Sequence, residues 1–122
     1  MKNKSKQLIG KWGEDLARRM LEANGYKIIG NNVRSQYGEI DLIAIAGNTV
    51  VFIEVKTRSV SSFGLPEDSI TKQKYIHMKE SAISYMQEHP EYQGDWRIDV
   101  VAIEGSPERP DPKVTWFENV LN

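Results

Sequence analysis

Residues 39–58 read Glu39-Ile40-Asp41-Leu42-Ile43-Ala44-Ile45-Ala46, then Gly47-Asn48, then Thr49-Val50-Val51-Phe52-Ile53-Glu54-Val55-Lys56-Thr57-Arg58. Two β-like runs flank Gly-Asn, a two-residue turn signal, so the stretch predicts a β-hairpin. Such a turn pairs Ala46 with Thr49 and sets the register of every residue beyond. Asp41 then falls opposite Glu54, and Glu39 opposite Lys56. Because side chains alternate along a strand, all four are expected on one side of the hairpin.

Directly opposed residues place their Cβ atoms about 4.5–5.5 Å apart, a separation that lets two carboxylates share one hard cation. Without the cation they repel, and one should take up a proton. Oxygen donors with no local His or Cys favour Mg²⁺ or Mn²⁺ over zinc. Such an ion activates water and stabilises charge on phosphate. Lys56, alongside, would hold the attacking water or neutralise charge developing on the phosphorane. The Val55 carbonyl offers a further oxygen ligand. The competing reading is a set of surface ion pairs, worth about 0–1 kcal/mol each. Glu54 lies between Ile53 and Val55, with Val50 and Phe52 on its own face, which argues against a solvated face.

Outward from the hairpin, residues 5–24 predict a helix stopped by Asn24-Gly25. Leu8, Trp12, Leu16 and Met20 form an expected core stripe. Gly10, Glu14, Ala17 and Leu21 form a second, on which Glu14 would look inward. Tyr26 to Val33 predicts a strand, and Ser59 to Pro66 a turn-rich loop. A second helix is expected from between Pro66 and Thr71 to about Glu88, closed by His89-Pro90. Ile76, Ala82, Ile83 and Met86 would supply its apolar side. Trp96 to Glu104 and Lys113 to Phe117 predict two more strands, the last at an edge. The order α-β-β-β-α-β-β implies an α/β domain, a mixed β-sheet flanked by helices. The strands either side of the second helix are candidate parallel neighbours through a crossover.

The chain has 122 residues, 27% of them charged, and no cysteine. That length suits a single domain over residues 1–122 with a core of its own. Disulfides and Cys-based zinc sites are excluded. Uninterrupted apolar runs are short, Val50 to Ile53 and Leu42 to Ala46 among them, so no bilayer span is expected. The basic N-terminus has no apolar stretch behind it, and the expected setting is soluble and cytoplasmic. The net charge of −1 is uneven: residues 1–27 carry seven Lys/Arg against three acids. A basic segment on a near-neutral domain can make local phosphate contacts, though a solvated terminus explains it as well.

Asp41 followed by Glu54-Val55-Lys56 resembles the PD-(D/E)XK signature of restriction-endonuclease-like nucleases, with Ile40 where the signature's proline would stand. The fuller resemblance is to the bacterial YraN family, which is assigned to that superfamily. It runs through Gly13-Glu14, Asn32, Arg34, Gly38 to Ile43, Phe52 to Arg58, Phe63-Gly64, Lys74 and Arg97 to Val101. The resemblance implies a restriction-endonuclease-like core and metal-dependent phosphodiester hydrolysis, similar to that of archaeal Holliday-junction resolvases. It implies Asp41 and Glu54 as metal ligands and Lys56 as the catalytic lysine. Glu14 matches an acidic residue on the first helix, and Lys74 a polar residue on the second.

Arg34, Arg58 and Lys74 are candidates to meet nucleic-acid phosphates, against the commoner reading of solvated charge. Arg97 and Asp99 either brace the site or form a cross-strand pair. His77 and His89 are poorly placed for catalysis, and Trp12, Trp96 and Trp116 read as packing. No Gly-rich phosphate loop or Ser/His/Asp constellation is present. The leading expectation is a metal-dependent nuclease acting on DNA, on branched or damaged forms among others. The alternatives are a catalytically silent nucleic-acid-binding module and a protein-interaction subunit of the same fold. Nucleases of this fold often work as dimers, so a homodimer is one expected assembly.

Overall fold

The computed structural model describes residues 2–58, 71–109 and 111–120, with side chains from Gln7 onward. The loop expected over 59–66 lies outside them. Among the described residues the elements are α1 (Lys2–Ala23), β1 (Lys27–Ser35), β2 (Gly38–Ala46), β3 (Thr49–Arg58), α2 (Lys72–Glu88), β4 (Trp96–Glu104) and β5 (Lys113–Phe117). The strands form one mixed sheet in the order β1-β2-β3-β4-β5. All neighbours are antiparallel except β3 and β4, which run parallel through the α2 crossover, as the sequence suggested.

Local chemistry sets the boundaries. Gly25 takes φ 86 after α1, its N–H bonding Glu22 O while Tyr26 N–H reaches Leu21 O. This paired pattern closes the helix on a left-handed residue that only glycine adopts cheaply. Gly47 opens the hairpin turn at φ 63. Thr71 caps α2, its hydroxyl accepting from Lys74 N–H at 3.1 Å.

Each face of the sheet carries one helix, so β3 is buried on both sides. Ala17 and Leu21 of α1 pack on Leu42, Ala44, Val51, Ile53, Val55, Val101 and Ile103. Met78 and Ala82 of α2 pack on Ile40, Ile43, Val50, Phe52 and Ile98. The first expected α1 stripe needs correction: Leu8 is 64% exposed, while Trp12, Leu16 and Met20 only flank the core. Strict spacing of four drifts by about 40° per step on a helix of 3.6 residues per turn, so such a row winds off the buried face. On α2, Ile76 and Ile83 are likewise exposed, and Met78, Ser81 and Ala82 take the buried positions.

Gly13 lies buried against β3, and a methyl group there would overlap the Thr57 hydroxyl. This close approach brings the neighbouring Glu14 to the end of the hairpin. Gly13→Ala should cost about 1–3 kcal/mol by overpacking. In a Thr57→Ala background most of that loss should disappear, and a double-mutant cycle in urea measures it.

Candidate active site

The β2–β3 ladder keeps the expected register from Ala46↔Thr49 to Leu42↔Ile53 and stops there. Beyond it the strands part, and Asp41 Oδ2 accepts the Val55 N–H at 2.8 Å. A side chain thus takes the donor that the backbone of Ile40 would otherwise receive. Alternation breaks at the same point, since Ile40 packs on the α2 side and Leu42 on the α1 side. The expectation that all four charges share one face is corrected accordingly. Glu54 and Lys56 follow Val50 and Phe52 to the α2 face, while Asp41 turns into the seam between the strands. Glu39 leaves the group, its Oε2 accepting from exposed Arg34 Nε at 3.2 Å.

Glu54 is 4% exposed. Its Oε1 meets Lys74 Nζ at 3.4 Å and Lys56 Nζ at 3.6 Å. Its Oε2 is buried with no hydrogen-bond partner among the described residues. A buried, unpaired carboxylate oxygen is costly, and native structures carry few of them. Nearby, the Asp41 carboxyl is pushed up to about 7, by burial first and by the Glu54 charge second. The Val55 N–H bond and the Lys74 charge act in the opposite direction.

Glu14 enters from the α1 side. Its carboxyl is raised above its ordinary value by burial and then by the Glu39 and Asp15 charges, with a smaller push from Glu54. A hydrogen bond to the Asn32 side chain lowers it. Asn32 stands between the pairs Asn31↔Leu42 and Val33↔Ile40, across from Asp41, at φ 51. Residue-type reasoning gave Asn32 no role. Its tolerance of left-handed backbone within a strand was the available signal.

The peptide groups of β3 define the remaining donor. Val50 N–H bonds Asp95 O beside β4, so residues 50, 52 and 54 direct their backbone polar groups that way. Val55 N–H points at Asp41, and its carbonyl lies on the same side, at the opened seam. Among the described residues, no group of three or more His, Cys, Asp or Glu side chains is gathered closely enough to hold a metal by itself. The seam therefore presents a carboxylate pair, a backbone carbonyl and two ammonium groups, with Glu14 at its border.

Arg34 stands at the β1 edge in its pair with Glu39, and Arg58 is half-buried where β3 ends. Arg97 and Asp99 belong elsewhere. Asp99 is fully buried and accepts from Arg97 Nε at 3.0 Å, Trp116 Nε1 at 2.9 Å and Asn119 N–H at 2.9 Å. Arg97 also donates to Tyr26 Oη at 2.7 Å and to Glu118. The pair ties β5 and the segment after it to the sheet rather than bracing the seam. His89 stacks on Tyr85 at 3.9 Å between ring centroids, a packing role.

No described helix is long and apolar enough to cross a membrane. Residues 13–103 match the family described as "Uncharacterised protein family UPF0102". A UPF0102 protein of Sulfurihydrogenibium sp. is 46% identical over 97 residues, covering 80% of this chain and 84% of its own. A UPF0102 protein of Dehalococcoides mccartyi is 40% identical over 112 residues, covering 92% and 91%. One from Syntrophomonas wolfei is 41% identical over 95 residues, covering 78% and 83%. With the match running from the Gly13-Glu14 step of α1 to Ile103 in β4, the chain belongs to the UPF0102 family.

Proposed function

We propose that this protein is a metal-dependent nuclease of the restriction-endonuclease-like class, hydrolysing DNA phosphodiesters with Mg²⁺ or Mn²⁺. The observation that carries the reading is the buried, partnerless Glu54 Oε2 beside Asp41, in a seam where the hairpin has opened. A structural ion pair has no use for an orphaned carboxylate oxygen next to a second acid. A hard cation satisfies both, and an all-oxygen donor set suits it. The α-β-β-β-α-β-β order around a mixed sheet, with Asp41, Glu54 and Lys56 at its centre, supports the class.

Asp41, Glu54 and the Val55 carbonyl would hold the ion, with Glu14 at the border. When bound, it supplies an acidified water and positive charge at the scissile phosphate. Burial between Ile53 and Val55 keeps the Glu54 carboxylate in a medium where its charge acts strongly. The Lys56 ammonium, already on the Glu54 side of the seam, holds the attacking water or offsets charge gathering on phosphate oxygens. Asn32, whose side chain lowers the Glu14 carboxyl, lies beside that carboxylate at the border.

The test is Mn²⁺-dependent cleavage across single-stranded, duplex, flap and four-way DNA. Wild type should cut at least one of these, and Glu54→Gln should lose at least about a thousandfold of that rate. Salt-sensitive binding of DNA with no cleavage of any substrate would instead make the protein a silent binding module.

A further inference from the structure

Glu54 is contacted by two ammonium groups, and they come from different elements. Lys56 lies two residues along the same strand, whereas Lys74 reaches across from the first turn of α2. Both meet Oε1, leaving Oε2 bare. The first turn of α2 contains no acidic residue and carries Lys72 and Lys74. Cations there oppose the positive end of the helix dipole, an arrangement that gains from a nearby anion. In the structure, Glu54 supplies that anion to Lys74. The Lys74 side chain is 37% exposed, so its ammonium can turn from the buried carboxylate to solvent without crossing the core.

Building on the nuclease reading, we infer that Lys74 is an exchangeable counter-ion. It sits on Glu54 while no divalent cation is bound, and it moves to a DNA phosphate when the cation takes its place. A dication and an ammonium on the same carboxylate repel, so cation entry expels the lysine. A phosphate that captures the expelled lysine in turn favours cation entry. Cation and DNA then assist one another's binding by the same factor, as linkage requires. Lys56 stays with the site, since β3 holds it beside Glu54 whichever ligand is present.

The test measures free Mn²⁺ by electron paramagnetic resonance during titration of wild type, Lys74→Met and Lys74→Arg. Each is titrated alone and with a phosphorothioate duplex of twenty base pairs that resists cleavage. Wild type alone should bind Mn²⁺ weakly, and the duplex should tighten it several-fold. Lys74→Met alone should bind Mn²⁺ about fivefold more tightly than wild type, in line with removal of one half-exposed ion pair. The duplex should add little to that variant. Lys74→Arg should keep the wild-type pattern. If Lys74→Met and wild type bind Mn²⁺ equally and respond equally to the duplex, the exchange is refuted while the metal site stands. If no variant binds Mn²⁺ under either condition, the metal site itself is refuted and the exchange with it.

Discussion

Asp41→Asn should make the cation-free protein more stable at pH 8 and flatten its stability profile between pH 4 and pH 8. The Asp41 carboxyl rises from an ordinary 3.8 to about 7, through burial and then the Glu54 charge. Between those values the folded protein keeps a proton that the unfolded chain has released. Stability from this group therefore falls as pH climbs through the window, by on the order of 3 kcal/mol. Asparagine can still accept the Val55 N–H through its amide oxygen, but it neither titrates nor repels Glu54. Urea unfolding at pH 5 and pH 8 should show the variant gaining on wild type by about 1–3 kcal/mol at the higher pH. Saturating Mn²⁺ should reverse the ranking at pH 8, because only wild type gains binding energy in the folded state. A variant that tracks wild type at both pH values would show that Asp41 is not held against Glu54.

Arg97→Met should be the most damaging single change away from the seam. Asp99 is fully buried, and Arg97 gives it two of its hydrogen bonds and the ion pair that balances its charge. Removing the guanidinium strands a carboxylate in the interior, a loss of about 3–5 kcal/mol. For a chain of this size that lowers the melting temperature by roughly 10–20 °C. The Arg97→Met/Asp99→Asn double variant should recover much of it, since the stranded charge is gone while Trp116 and Asn119 still find an acceptor. Thermal melts of the single and double variants read the difference directly. If the double variant melts no higher than Arg97→Met, the loss comes from packing around Tyr26 rather than from charge.

Much of the architecture is legible in the residues, for reasons that are local. Gly47-Asn48 between alternating runs fixes the hairpin, and the ladder follows the register that turn imposes. The parallel β3–β4 pairing follows from an amphipathic stretch between two strands. What alternation alone cannot show is where a ladder ends. The seam opens because one side-chain oxygen outcompetes a backbone carbonyl for the Val55 N–H, a contest settled by the surroundings of Asp41. The second α1 stripe, with Ala17 and Leu21, is the buried one, and Ala82 and Met86 of α2 also reach the core. Hydrophobicity alone, however, ranks Leu8, Ile76 and Ile83 as inward where close packing rewards smaller side chains. Gly13, Ala17, Ser81 and Ala82 let the helices approach, and Leu8, Ile76 and Ile83 are left outside. The proximity of Glu14 to the carboxylate pair was legible as an inward glutamate, but the Asn32 contact that steadies it was not.

The two acids of the seam lie within one hairpin, whereas Lys74 arrives only with the crossover helix. A hairpin closes in microseconds, but parallel pairing waits on a longer loop and its entropy. During folding, Asp41 and Glu54 therefore confront each other with Lys56 alone alongside, before the second ammonium docks. In water that repulsion is weak, and the larger cause of the Asp41 shift, burial, comes only as the helices cover the sheet. Protons or divalent ions in solution should therefore ease the closing step of folding rather than the first.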